Sequence, residues 1–265
     1  MYTHKQSSEI DMPIEILKKY DMLKIAYFDI ETTGFDKEQD NVILISVGYY
    51  EKNNIFTIKQ YFGENLTDEK EVLEKFLKIL KEFDIWCSYN GKAFDEPFIK
   101  YRSQRYDMEF NLPKKHIDLY RMIRPYQKQL GLTRCNLKSV ERYIGIERKD
   151  TIDGGISVEL YKKYIKNKEE NLRKIMMLHN FEDVYNLPQI FNVVWKIENT
   201  KGFIREDHIT DKQMGYIKYL LNKNKVIVDL NFEKISKKVA SKIIASLLEG
   251  NSSNEKLQEI VQDFY

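Results

Sequence analysis

The sequence predicts an α/β fold, a sheet flanked by helices, with a small, mainly helical C-terminal module attached. Three observations predict it. Strand-forming runs recur at residues 24–35, Val42–Tyr50, Ile55–Phe62 and 84–89. Between and after them, apolar residues repeat at helical spacing over 68–83 and 171–195. After about residue 201 the pattern becomes two lysine-rich helical segments around a short apolar run. The expected division is a lead-in at 1–23, the main α/β domain at 24–200 and the C-terminal module at 201–265.

The bulk numbers narrow the classes. Of the 265 residues, 42% are hydrophobic and 32% charged, which fits a globular protein with a sizeable core. The 43 basic and 41 acidic residues leave a formal charge of only +2, so any nucleic-acid surface must be local. Cys87 and Cys135 lie far apart without metal-ligand spacing, which argues against a zinc site or disulfide framework. The first residues lack an apolar leader core, and no run of eighteen apolar residues follows, so the expected location is cytoplasmic, with no membrane partner.

In chain order, residues 1–23 offer at most a helical turn near 13–20. The run KIAYFDIETTGF (24–35) is a strand, followed by strands Val42–Tyr50 and Ile55–Phe62 with a turn at 52–54. Together they read as an antiparallel meander. Residues 68–83 place Val72, Leu73, Phe76, Leu77, Ile79 and Leu80 on one face of a helix, with Thr67 or Asp68 as N-cap. Residues 84–89 return to strand, and Asn90, Gly91 and Lys92 turn the chain into a helix with Asp95 near its start. If the strands at 24–35 and 84–89 are neighbours, Asp95 lies close to the end of the first. A short strand or helix entry at 115–125, a helix at 136–144, a loop at 150–157 and a helix at 158–165 precede the helical stretch 171–195, which Pro188 can kink.

The polar exceptions to this apolar pattern are Asp29, Glu31, Asp95, His179 and Asp183. Asp29 and Glu31 are two apart in a strand and so project from one face, where unpaired like charges beside a core are costly. A bound cation removes the conflict. His179 and Asp183 are four apart and stack on one helix face. Four carboxylates with a histidine suit hard divalent cations held through oxygen, with Mg²⁺ or Mn²⁺ fitting best. Two such ions roughly 4 Å apart would support an in-line phosphoryl displacement, and a histidine at the edge can take the proton of the attacking water.

In order and spacing, FDIETTG, YNGKAFDEPF and HNFEDV resemble the three exonuclease motifs of the DnaQ-like (DEDD) superfamily, which has an RNase H-like fold. HIDLYR, CNLKSVE and DTIDGGISVELY resemble intervening segments of its YprB-type branch. The resemblance covers 24 to about 195. It implies a mixed five-stranded sheet flanked by helices and two-metal-dependent 3′-5′ exonuclease activity on single-stranded DNA or RNA. It also implies Asp29 and Glu31 as first-motif metal ligands, Asp183 completing one metal site, Asp95 serving the other, and His179 as general base. Thr32, Thr33 and Gly34 would hold the terminal nucleotide, Phe35 would stack on or wedge beside its base, and Asn90 would add a polar contact. One departure stands out: histidine-type members usually place the histidine five residues before the last aspartate, whereas His179 is four before Asp183, as in tyrosine-type members.

Other readings stay open from the residues alone. The same fold can bind nucleic acid or a partner without cleaving, and the same metal chemistry serves a structure-specific endonuclease. His116 and Asp118 lie outside the three motifs and are read as structural. Between Lys212 and Lys242 stand eight lysines (212, 218, 223, 225, 234, 237, 238, 242) against Asp229 and Glu233. Such a run is ordinarily a solvated helix face, but Tyr216 and Tyr219 among the lysines would allow base stacking beside phosphate contacts, and the module can equally dock a protein.

Overall fold

The protein is described here by a computed structural model covering every residue except Asn53, Gly154, Asn251, Ser252 and 263–265. The centre of the expected turn at 52–54 and part of the expected loop at 150–157 therefore lie outside the described residues. Two compact units emerge, one of Met1–Tyr120 with Asn136–Trp195 and one of Arg121–Cys135 with Lys196–Tyr265.

The elements run β1 (Tyr2–Glu9), α1 (Ile14–Lys19), β2 (Ile25–Thr32), β3 (Val42–Tyr50), β4 (Ile55–Phe62), α2 (Glu69–Leu80), β5 (Ile85–Ser88), α3 (Asp95–Arg105), β6 (Lys115–Asp118), α4 (Leu119–Ile123), α5 (Leu137–Tyr143), α6 (Ile156–Asn167), α7 (Glu170–Tyr185) and α8 (Leu187–Asn199). The sheet has six strands in the order β1-β4-β3-β2-β5-β6, not five. The added strand is β1, which lies in the segment expected to be a lead-in. Its sequence YTHKQSSE is mostly exposed and carries no apolar alternation. It is held instead by antiparallel pairing to β4 from Tyr2↔Phe62 to Glu9↔Ile55.

β2, β3 and β4 form the expected antiparallel meander, and β5 and β6 add in parallel on the other side of β2. Strand alternation divides β2 between two faces. Ala26, Phe28 and Ile30 join Val72, Leu73 and Phe76 of α2 in one core cluster. Tyr27, on the opposite face, meets Phe56 and Phe191 edge-on, with ring centroids 5.4 and 6.3 Å away. Asp29 and Glu31 share that second face.

A buried ion pair ties α2 and α3 to the start of β3. The Glu69 carboxylate accepts from Arg102 Nε (2.8 Å), the Val42 N–H (2.8 Å) and the Tyr106 hydroxyl (2.8 Å). The predicted cap at Asp68 is not made: its carboxylate turns back to the N–H groups of Glu64 (2.9 Å) and Asn65 (3.2 Å). The helical stretch expected at 171–195 is two helices. α7 ends before Asn186, whose side chain donates to buried Glu141 (3.0 Å), and Pro188 falls in the first turn of α8, where no intrahelical N–H is needed.

The second unit contains α9 (Asp211–Lys223), α10 (Lys237–Leu248) and α11 (Asn254–Gln262). Thr210 and Ser236 cap α9 and α10 by accepting from the N–H groups of Gln213 and Val239, each at 3.2 Å. Ile217, Leu220, Leu230, Ile235, Ile243 and Leu247 are among its buried core. The apolar run at 226–230 forms no strand; Val226, Val228 and Leu230 pack inward while Ile227 is exposed. Residues Arg121–Cys135 join this unit through contacts no local pattern announces, such as the Glu206 N–H to the Pro125 carbonyl at 2.9 Å.

Candidate active site

β2 brings the first two acids to the site because its register is fixed on both sides. Asp29 lies opposite Ser46 and Glu31 opposite Leu44 in β3, and a bulge follows between Glu31 and Thr32. The bulge shifts the register just after the second acid, and pairing resumes at Thr32 opposite Val42 before the chain turns toward Phe35. β2 runs parallel to β5, so the turn after β5 delivers the start of α3 to the same end of the sheet. There Asp95 Oδ1 accepts from the Ile30 N–H at 3.1 Å, the neighbourhood the sequence pattern predicted.

α7 supplies the remaining groups from the opposite side. Glu31, His179 and Asp183 each offer a donor atom, all within 4.8 Å of one another. His179 Nε2 is 3.6 Å from Glu31 Oε1 and 3.4 Å from Asp183 Oδ2. Asn180 donates to Asp29 Oδ2 at 2.7 Å and accepts from Ser46 Oγ at 2.5 Å, locking α7 against β2 and β3. Glu182 accepts from the N–H groups of Lys149 (3.0 Å) and Asp150 (2.8 Å), which anchors the loop beside the helix.

That loop contributes Asp150, whose Oδ2 lies 2.7 Å from His179 Nδ1. Burial opposes its ionisation, yet hydrogen bonds from His179, Lys138 and the Ile152 N–H pull its carboxyl down to about 2. An ionised carboxylate can only accept, so His179 donates through Nδ1 and presents Nε2 toward Glu31 and Asp183. Arg148 sits between the acids, with Nη2 2.5 Å from Asp183 Oδ1, Nε 2.5 Å from Glu141 and Nη1 3.5 Å from Asp150.

The electrostatics are those of a crowded acid cluster. Burial, then the charges of Asp183, Asp95 and Glu31, hold the Asp29 carboxyl well above the usual range, although Asn180 partly offsets this. Burial and then Asp183 raise Glu31 likewise. Asp95 is pushed up to about 7, with burial outweighing the N–H groups that it accepts from. A divalent cation among these groups would replace the protons that such shifts imply, and carboxylate oxygens are the ligands that Mg²⁺ and Mn²⁺ take. The donor set therefore fits a hard or borderline divalent metal.

A cleft of about 280 Å³ opens here, lined by Asp29, Glu31, Thr32, Gly34, Phe35, Phe94, His179 and Asp183 among others. Phe35 is 83% exposed, its ring 6.0 Å from that of Phe94. Thr32 Oγ1 donates to the Gly34 carbonyl (2.5 Å) and Thr33 Oγ1 to Asp40 Oδ1 (3.0 Å), so both threonines shape the turn. Asn90 does not line the cleft. It sits exposed at φ +68° in the turn after β5, with its N–H donating to Asp118 at 2.8 Å. His116 is held between Ser88 Oγ (2.7 Å) and Glu96 (2.5 Å), the structural role expected of it.

Four groups at the site were not legible beforehand: Arg148, Asp150, Asn180 and Glu182. Asn180 and Glu182 lie within the HNFEDV motif, and a helical reading of that motif places them beside the two recognised residues. Asp150 and Arg148 precede α6 on a segment without periodicity, and only the tertiary fold brings them to α7.

Residues 26–195 match the family model of the RNase H superfamily, and the chain belongs to that superfamily. An uncharacterized protein of Bacillus subtilis, YprB, is 31% identical over 198 residues, which are 72% of this chain and 45% of the Bacillus protein. A DNA polymerase of Methanocaldococcus jannaschii is 30% identical over 155 residues, 48% of this chain but 9% of the polymerase. The chain thus spans less than half the length of these relatives. In fold it is similar to the family B DNA polymerase of Pyrobaculum calidifontis, with a TM-score of 0.53, 16% identity, and coverage of 87% of this chain and 29% of the polymerase.

Proposed function

We propose that the protein is a metal-dependent nuclease that removes nucleotides from the 3′ end of single-stranded nucleic acid. The observation that carries this reading is the convergence of Asp29, Glu31 and Asp183 with the oriented imidazole of His179 on one cleft, with Asp95 bonded to the strand between the first two. Membership of the RNase H superfamily and the match to DNA polymerases support nucleic acid as the substrate. Among the described residues no helix is long and apolar enough to cross a membrane.

Asp29, Glu31, Asp95 and Asp183 would hold two divalent ions, Mg²⁺ or Mn²⁺. When bound, the ions supply charge stabilisation for the scissile phosphate and its leaving oxygen. The chain's own residues do the rest. Asp150 accepts a hydrogen bond from His179 Nδ1–H, which orients Nε2 to take the proton of the attacking water. Arg148 engages Asp183 Oδ1 and leaves Oδ2 toward the cleft. Asn180 fixes the Asp29 carboxylate, and exposed Phe35 at the cleft wall offers a ring face to the terminal base.

The test of polarity uses single-stranded oligonucleotides labelled at either end, with Mn²⁺ or with EDTA. A 3′→5′ exonuclease releases labelled mononucleotide at once from the 3′-labelled strand and a descending ladder from the 5′-labelled one, and leaves a circular strand intact. Cleavage of the circle would show an endonuclease. A gel shift with no cleavage of any strand would contradict the nuclease reading.

A further inference from the structure

The second unit carries a surface feature that the catalytic reading does not use. On α9, Lys212, Tyr216, Tyr219 and Lys223 follow one another at spacings of four, three and four, so they form a single stripe about 16 Å long. All four are exposed, while Ile217 and Leu220 of the same helix are buried in the unit's core. The two tyrosine rings are nearly parallel, 10° apart, with centroids separated by 6.2 Å.

Two further observations point to a ligand rather than to packing. Gly215 lies in the helix interior beside Tyr219, four residues ahead of it, where glycine weakens the helix. A Cβ there would meet nothing within 4 Å, so no close approach inside the molecule requires the glycine. It leaves bare surface next to the rings. The helix itself is also basic, carrying Lys212, Lys218 and Lys223 against the single acid Asp211.

We propose that this face of α9 binds single-stranded nucleic acid, with Tyr216 and Tyr219 stacking on unpaired bases and Lys212 and Lys223 pairing with phosphates. Every base has a π-face and every linkage a negative charge, so such a platform holds DNA or RNA without reading sequence. The parallel rings favour this occupant over an acidic protein, which needs the lysines but not the aromatic pair. The inference goes beyond cleavage, because binding here requires neither metal nor the four acids.

The test measures anisotropy of fluorescein-labelled dT20 and U20 with the full chain carrying Asp29→Ala, in EDTA so that no strand is cut. That background is expected to bind. Adding Tyr216→Ala with Tyr219→Ala is expected to weaken binding about tenfold or more. The paired Tyr→Phe changes keep the rings and are expected to bind like the background. Lys212→Ala with Lys223→Ala is expected to make the dependence of log affinity on log salt shallower by about 1.4, the slope of two released counterions on a single strand. Comparison of dT20 with U20 tells DNA from RNA, and a duplex competitor is expected to compete poorly. Unchanged affinity in the folded Tyr→Ala pair, equal losses in the Ala and Phe pairs, or equal competition by duplex would each overturn the proposal. If the Ala pair does not fold, Lys212→Glu with Lys223→Glu decides, and unchanged affinity there overturns it. None of these results depends on whether the parent chain cleaves, which the end-labelled assays read separately.

Discussion

Replacing Asp150 by Asn tests the least expected part of the site. The change keeps size and shape but removes the charge that accepts from His179 Nδ1 at 2.7 Å and faces Lys138 at 2.9 Å. A hydrogen bond to a charged group is worth about 1.5–3 kcal/mol, and loss of a carboxylate behind a functional histidine typically costs 10–100-fold. An amide can also present its NH₂ to Nδ1, which would move the imidazole proton to Nε2 and remove the lone pair from the cleft. Turnover is therefore expected to fall at least tenfold. The carboxyl is drawn from 3.8 to about 2, so its contribution is present above about pH 4, and after allowance for solvent screening the variant is expected to lose on the order of 1 kcal/mol at neutral pH. The assay is single-turnover release of mononucleotide at saturating Mn²⁺, with thermal unfolding measured in parallel. A folded Asp150→Asn protein with the parent rate would refute the orienting role.

Three further predictions follow from other parts of the structure. The first concerns Asp95, whose carboxyl is raised from 3.8 to about 7, so the folded state holds its proton more tightly than the unfolded state does. In EDTA its contribution is fully present below pH 4 and is lost as pH rises to about 7, on the order of a few kcal/mol, and Asp95→Asn should flatten that part of the melting curve against pH. A parent and variant with parallel curves between pH 4 and 7 would contradict it. Secondly, Arg102→Ala strands the buried Glu69 carboxylate and should cost about 3–5 kcal/mol in urea unfolding; a loss under 1 kcal/mol would refute the importance of the pair. Thirdly, Phe35→Ala removes an exposed ring and should leave the melting temperature unchanged while raising KM about tenfold; an unchanged KM would remove Phe35 from the substrate path.

Much of the site was legible because its residues violate local rules. Asp29 and Glu31 interrupt an apolar strand, and His179 and Asp183 interrupt a helical core pattern, and the fold brings all four to one cleft. The meander and α3 followed from alternation and turn residues, and the parallel placement of β5 beside β2 brought Asp95 to Ile30. The parts that were not legible obey no local rule. β1 has a polar sequence and is defined by backbone pairing to a strand about fifty residues away. Asp150 is an ordinary loop acid until the fold sets it against His179, and Arg148 is one more surface-type cation until three carboxylates surround it. Residues Arg121–Cys135 leave the first unit for the second through contacts that only the folded chain defines.

The central claim is that the clustered acids hold metal and that the held metal is needed to cut nucleic acid. Its most direct measurement pairs isothermal titration of Mn²⁺ with mononucleotide release for the parent, Asp29→Ala and Asp183→Ala. The account predicts that the parent binds Mn²⁺ and releases mononucleotides, that EDTA abolishes release, and that both folded variants lose binding and release together. Full release by either variant, or release by the parent in EDTA, would contradict it.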